Sequence, residues 1–104
     1  MRLISGFCFL LLACGSGFRH AEIRVSGNCE MCRETIESSL QIPAVKKAHW
    51  EPETGILEVD FDSKSISLHQ IRQKIAAAGY DTDSVRADQK AYSKLHECCQ
   101  YREN

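Results

Sequence analysis

The feature that most constrains the fold is a change in apolar spacing near the middle of the chain. In ILEVDFD (56–62), apolar side chains alternate with carboxylates, which is typical of a strand with one buried face. The spacing then becomes that of one helical face, with the apolar residues Leu68, Ile71, Ile75 and Ala78. Ser67 and Gln70 form a capping box at its start, and Gly79 is a stop signal at its end. A strand followed by a well-delimited helix is therefore predicted here.

The same two patterns alternate throughout residues 22–87. The other patterned segments are EIRVS (22–26), CRETIESSLQ (32–41), VKKAHW (45–50) and a weaker TDSVR (82–86). The second of these has a helical stripe, which Pro43 ends, and the others are strand-like. The order strand, helix, strand, strand, helix, strand predicts an α+β fold of the ferredoxin-like βαββαβ type. In this sandwich both helices cover one face of an antiparallel sheet.

The start of the chain predicts an export signal and a lipid anchor. In residues 1–13 an arginine precedes an apolar stretch that is too short to span a bilayer, which takes about 20 residues. Its end, LLAC (11–14), resembles the bacterial lipobox, which implies that Cys14 carries acyl chains. We expect a signal peptide over 1–13, a tether over 14–21, and a protein anchored in a bacterial cell envelope that faces the periplasm or the exterior. An ordinary secretion signal with an incidental cysteine is the alternative.

The pair Cys29 and Cys32 is the clearest indication of chemistry. It lies where a strand pattern gives way to a helix pattern, and two thiols at that spacing can converge on one ion. A helix N-terminus lowers thiol pKa, and thiolates favour Cu(I) and also hold Zn(II). A structural zinc site normally needs four ligands, and no second CxxC supplies them. A thiol redox or metal/redox-sensing protein, with Cys29 and Cys32 as a reversible disulfide, is the other interpretation.

Three segments carry a resemblance to a known family. IRVSGNCEMCRETIESSL, GILEVDFD and IRQKIAAAGYDT resemble the heavy-metal-associated domain of copper chaperones, metal-pumping ATPases and the periplasmic mercury-binding protein. The resemblance covers residues 22–87 and implies a metal carrier, scavenger or buffer rather than an enzyme. It implies that Cys29 and Cys32 bind a soft ion, with Cu(I) favoured over Zn(II), Hg(II) or Ag(I). The expected partner is a membrane metal transporter or ATPase.

The resemblance also identifies two residues near the site and one departure from the family pattern. Tyr80 matches a position near the metal loop where bacterial members commonly have an aromatic residue. The usual loop reads Gly-Met-x-Cys-x-x-Cys, whereas Gly27-Asn28-Cys29 is one residue shorter and lacks the methionine. Met31, between the cysteines, is the candidate to replace it. A net charge of −1 gives no basic surface for nucleic acid, and we expect a monomer.

Residues 88–104 form a tail with cysteine and histidine beyond this resemblance. Its apolar residues at helical spacing are Ala91, Leu95 and Cys98. They predict a docked helix in which Cys98 packs in the core. Neighbouring helical residues point about 100° apart, so His96 and Cys99 would lie accessible on another face. The tail cysteines and His96 are therefore candidate additional ligands, either as a second site or as a lid over the first.

Overall fold

The computed structural model of the protein describes residues 17–102. Its elements in chain order are β1 (Phe18–Arg24), α1 (Glu30–Ser38), β2 (Val45–Glu51), β3 (Ile56–Asp62), α2 (Leu68–Ala77), α3 (Gln89–Ser93) and a 3-10 turn (Glu97–Cys99). The predicted signal peptide and the predicted lipidation of Cys14 fall outside the described residues. Within residues 17–102, no helix has both the length and the apolar character needed to cross a membrane.

The sheet is antiparallel, with β3 between β1 and β2. Leu57 is the register partner of Ile23 on one side and of Trp50 on the other. The alternation predicted for β3 is confirmed, because Leu57, Val59 and Phe61 are buried while the residues between them stay partly exposed. Only one face of the sheet is thus apolar, so both helices have to pack on it.

Both helices contribute to the core on that face. Ile36 of α1 and Ile71 and Ile75 of α2 are fully buried and belong to the same apolar cluster as the strand residues. The predicted capping box is confirmed: Gln70 N–H donates to Ser67 Oγ at 3.1 Å, and Ser67 N–H donates to Gln70 Oε1 at 2.9 Å. The α+β, ferredoxin-like architecture predicted from the sequence is therefore confirmed, except at its last strand.

The predicted fourth strand, TDSVR (82–86), was wrong. Its pairing with the rest of the fold is an isolated bridge between Val25 and Thr82. The segment forms a tight turn, in which Thr82 N–H donates to Val85 O at 2.8 Å and Val85 N–H donates to the Thr82 hydroxyl at 3.0 Å. These local bonds use backbone groups that a longer ladder would need. In the described part of the chain the sheet accordingly has three strands.

The first strand begins earlier than its apolar pattern indicated. A tether was expected over residues 14–21, but β1 already pairs with β3 from Phe18, opposite Asp62. His20, expected in the tether, lies opposite Asp60, with its Nδ1 atom 2.5 Å from Asp60 Oδ1. The first four residues of β1, Phe18 to Ala21, do not alternate apolar with polar side chains, which is why the sequence pattern missed them.

The tail packs back on the domain, but not as one helix. Asp88 caps the short helix α3 by accepting a 2.7 Å bond from Ala91 N–H. Leu95 then lies against Gly79, where an added Cβ would be only 3.0 Å from the leucine Cδ2 atom. Gly79 has a φ of +106°, which favours glycine, so this residue both ends α2 and leaves room for the tail.

The break in the tail reverses the predicted roles of its cysteines. His96 is extended, with φ −60° and ψ 151°, and the chain resumes as the 3-10 turn. This extended residue resets the helical phase, so that Cys99 is buried, at 2% exposure, and Cys98 is exposed. The prediction that Cys98 packs in the core while Cys99 stays accessible was therefore wrong.

Candidate metal site

Two pairs of cysteines that are distant from each other in the sequence, Cys29 with Cys32 and Cys98 with Cys99, meet at the N-terminus of α1. Cys29 is at the centre: its Sγ atom lies 3.5 Å from that of Cys32, 3.8 Å from that of Cys99 and 3.9 Å from that of Cys98. The sulfurs of Cys98 and Cys99 are 3.9 Å apart. All four thiols are free. We call this group the four-cysteine cluster.

The strand-to-helix loop positions the first two thiols. Cys29 is the N-cap residue of α1, with an extended backbone, and Cys32 lies in the first turn with its side chain fully buried. The Cys32 thiol donates to Asn28 Oδ1 at 3.2 Å. Burial raises the pKa of Cys29, but the backbone N–H of Cys32, the Cys32 and Cys99 thiols and the Met31 N–H together bring that pKa below its ordinary value. The loop thus favours a thiolate at the centre of the cluster.

Trp50 forms the floor of this loop. Its side chain is fully buried, and the indole N–H donates to Val25 O at 3.0 Å. A Cβ added at Gly27 would lie 2.9 Å from two ring carbons of Trp50, closer than real Cβ contacts allow. Glycine is required at position 27 because the indole ring approaches the backbone there. Met31, the candidate to replace the missing loop methionine, is 41% exposed, so Trp50 and not Met31 packs beneath the loop.

Tyr80 lies on the buried side of the cluster. Its side chain is fully buried, and its hydroxyl has no well-oriented hydrogen-bond partner within residues 17–102. Burial raises the pKa of Tyr80 well above its ordinary value, and the neighbouring thiols of Cys99 and Cys32 add to this. Burial likewise raises the pKa of Cys99, and the Cys32 and Cys29 thiols reinforce the shift. A neutral hydroxyl with an unused proton therefore lies beside two of the thiols.

Aromatic rings hold the tail over the domain. The Tyr101 ring stacks on Tyr80, with centroids 5.7 Å apart, and Tyr92 meets Tyr101 edge-on at 5.0 Å. The Tyr101 hydroxyl donates to Gly79 O at 2.9 Å and accepts from Asp81 N–H at 2.8 Å. One side chain of the tail thus satisfies two backbone groups at the end of α2.

An ion pair continues the same attachment. Arg102 Nη2 lies 2.6 Å from Asp81 Oδ1 and donates to Ala87 O at 2.7 Å. The guanidinium also packs over the Tyr92 ring, 4.5 Å from its centroid. Asp81 and Arg102 are 15% and 13% exposed, so water screens this pair only in part. We call Tyr101, Arg102 and their partners the tail latch.

The structure brings together most, but not all, of the predicted site residues. Cys29, Cys32, Cys98 and Cys99 meet, with Tyr80 beside them. Met31 contributes its Sδ atom, 3.7 Å from Cys98 Sγ, at the exposed edge. His96 is exposed, and the cluster found in the described part of the chain does not include it.

Two parts of the site had no clear signal in the sequence. Trp50 was assigned only to a loose strand pattern, although a glycine at position 27 is consistent with a bulky neighbour. Tyr101 and Arg102 follow the last patterned residue of the tail, and nothing in their spacing indicates Asp81 as a partner. Both depend on contacts between segments that are remote in sequence.

A ferredoxin-like sandwich that presents a cysteine pair at the start of its first helix defines a small metal-binding domain. The chain belongs to the heavy-metal-associated domain family, which matches residues 22–81. Copper chaperone CopZ of Staphylococcus saprophyticus is 33% identical over 61 residues, covering 57% of this chain and 90% of that protein. CopZ of Staphylococcus haemolyticus gives the same values.

Solved structures agree with this assignment. A CopZ metallochaperone superimposes with a TM-score of 0.59 and 29% identity, over 62% of this chain and 98% of that one. Oxidized MerP from Ralstonia metallidurans CH34 gives a TM-score of 0.60 and 25% identity, over 64% and 94% of the two chains. The family match ends at Asp81, so Cys98, Cys99 and the latch residues of the tail lie beyond it.

Proposed function

We propose that this protein binds a soft metal ion, Cu(I) in the first place, through Cys29 and Cys32. The observation that carries the proposal is the position of these thiols, 3.5 Å apart at the N-terminus of α1 in a heavy-metal-associated domain. Helix N–H groups favour the thiolate form that metal binding needs. The protein then acts as a carrier, scavenger or buffer of the ion and not as an enzyme.

The choice of ion rests on ligand chemistry and on the relatives. Thiolates are soft ligands, which select Cu(I) and also hold Zn(II). The matched curated proteins are named copper chaperones, and MerP is among the similar structures. Both observations support Cu(I), with Zn(II) and Hg(II) as the other ions of this class.

The place of action and the partner are part of the same proposal. The lipobox-like LLAC (11–14) supports a lipid anchor on Cys14 in a bacterial cell envelope, with a membrane metal transporter or ATPase as the receiver of the ion. Intact-mass measurement of membrane-extracted protein would show the chain beginning at Cys14 with added acyl mass. A soluble product cleaved elsewhere would remove the anchor from the proposal.

The metal assignment is tested with Cys29→Ser/Cys32→Ser. Native mass spectrometry of the reduced protein, with Cu(I) and a competing chelator, should show one ion on the parent and none on the double variant. His69→Ala, at an exposed position of α2 that leaves every thiol in place, is the control and should retain the ion. Unchanged Cu(I) stoichiometry in the double variant would refute the assignment. A reversible Cys29–Cys32 disulfide in a protein that takes up no Cu(I) would instead favour the redox interpretation.

A further inference from the structure

We infer that the tail completes the metal site, with Cys98 and Cys99 joining Cys29 and Cys32 as ligands of one ion. With the tail docked, the protein offers four thiolates and suits a tetrahedral divalent ion of the Zn(II) class. With the tail open, only Cys29 and Cys32 bind the ion, and the ion can be transferred to a partner. The inference rests on the proposed function, because it adds ligands to the same pair, and the tail cysteines lie beyond the family match.

The spacing of the sulfurs fits a tetrahedral ion. A zinc ion with four Zn–S bonds of about 2.3 Å holds its sulfurs about 3.8 Å apart. Four of the six sulfur–sulfur distances in the four-cysteine cluster, the three to Cys29 and the one between Cys98 and Cys99, range from 3.5 to 3.9 Å. Cys29, Cys98 and Cys99 have sulfurs within 4.8 Å of one another, close enough to share an ion, whereas Cys32 lies outside that group and contacts Cys29. A movement of the Cys32 thiol towards the tail cysteines would let one ion reach all four sulfurs.

The tail is held in place independently of the thiols. The Tyr101 hydroxyl bonds to Gly79 and Asp81, Leu95 fills the space over Gly79, and Arg102 pairs with Asp81. These contacts fix the chain on both sides of the 3-10 turn that carries Cys98 and Cys99. The two thiols are thus positioned before an ion arrives, so binding does not have to order the tail.

The surroundings of the cluster fit a negatively charged ligand set. Four thiolates around a divalent ion leave surplus negative charge, which needs hydrogen-bond donors when it is partly buried. Cys29 lies at the N-terminus of α1, where the helix favours negative charge, and the buried Tyr80 hydroxyl has a proton without a well-oriented acceptor in the described structure. A metal-bound thiolate would provide that acceptor. The Tyr80 hydroxyl would therefore gain a hydrogen-bond acceptor when the ion binds.

The closed site changes what the protein does with its ion. Four ligands leave no open position for an incoming thiol of a partner, as in structural zinc sites. Release then requires the tail to move away first. The parent protein should therefore retain its ion against a competitor better than a two-thiolate site does, which is the behaviour of a buffer or scavenger.

The test compares Cys98→Ser and Cys99→Ser with His96→Ala, an exposed tail residue outside the cluster. Zn(II) affinity of the reduced full chain is measured against a chromophoric chelator, and zinc X-ray absorption counts the sulfur ligands. Each cysteine variant should bind Zn(II) on the order of 100-fold more weakly. Mutating a residue that only hydrogen-bonds to a metal ligand already lowers metal affinity by about 10–100-fold, and loss of a ligand should lower it at least as much. His96→Ala should match the parent. The parent should show four sulfurs and release Zn(II) to the chelator more slowly than either cysteine variant.

Folding and ligation are separated by the choice of residues. Cys98 is exposed, so Cys98→Ser should keep the parent circular dichroism spectrum while losing affinity; Cys99→Ser is interpreted only if its spectrum is also unchanged. Two sulfurs in the parent, or parental affinity in Cys98→Ser, would overturn the inference and leave the Cys29 and Cys32 site intact. Loss of Zn(II) only in the tail variants, with Cys29→Ser/Cys32→Ser binding normally, would overturn both the inference and the proposed function.

Discussion

Replacing Tyr101 with phenylalanine should loosen the tail without disturbing the packing of the ring. The ring keeps its stacking on Tyr80 and its edge contact with Tyr92, while the bonds to Gly79 O and Asp81 N–H are lost. Each such bond contributes about 0.5–1.5 kcal/mol net, so we expect a loss of about 2 kcal/mol. That corresponds to an increase of about 30-fold in the population with an open tail.

Alkylation of Cys99 measures that population directly. Cys99 is 2% exposed, so iodoacetamide reaches it only when the tail opens, and its labelling rate follows the open fraction when opening is fast. Pulse labelling of the reduced, metal-free protein, followed by peptide mass mapping, separates Cys99 from the other cysteines. Tyr101→Phe should label Cys99 about 30-fold faster than the parent.

Tyr92→Phe is the matched control for this experiment. The Tyr92 hydroxyl accepts one hydrogen bond, from the backbone N–H of Arg102 at 2.8 Å. Loss of this bond should destabilise the docked tail by about 1 kcal/mol and speed the labelling of Cys99 about fivefold. The exposed Cys98 should label at similar rates in all three proteins. If Cys99 is labelled in Tyr101→Phe at the same rate as in the parent, the two hydroxyl bonds do not hold the tail, and the tail latch does not stabilise the docked state.

Three further predictions concern the core and pH. Gly27→Ala should lower the free energy of unfolding by about 1–3 kcal/mol, measured in urea, because the new Cβ would overlap the Trp50 ring; parental stability would contradict that close approach. Trp50→Phe should lower the free energy of unfolding by about 2–4 kcal/mol, because it leaves a cavity and deprives Val25 O of its indole donor. A decrease under about 1 kcal/mol would contradict the role of Trp50 beneath the loop. Burial raises the pKa of Tyr101 from 10.0 to about 12. Stabilisation by its neutral hydroxyl should therefore persist below pH 10 and disappear as pH rises towards about 12, so that the stability difference in urea between the parent and Tyr101→Phe vanishes as tyrosinate absorbance rises; a difference that stays constant over this range would contradict the role of the hydroxyl.

Local sequence pattern determined the parts of the fold whose stabilising contacts are short-range or periodic. The alternation in β3 and the capping box of α2 each specify their element within a few residues, because a strand repeats every second residue and a helix every third or fourth. The same holds for Cys29 and Cys32, whose spacing places both thiols at one helix start. The ferredoxin-like class follows from the order of these elements.

Tertiary structure decided the rest, because there the stabilising contacts join segments remote in sequence. The pattern of residues 82–86 predicts a strand, but hydrogen bonds between Thr82 and Val85, one of them to the Thr82 hydroxyl, form a turn there instead. The tail reads as one helix, yet the packing of Leu95 on Gly79 and the Tyr101 bonds accompany an extended residue at His96 that turns Cys99, rather than Cys98, inward. The four-cysteine cluster forms where the docked tail meets the first loop, and no periodicity within either segment encodes that contact.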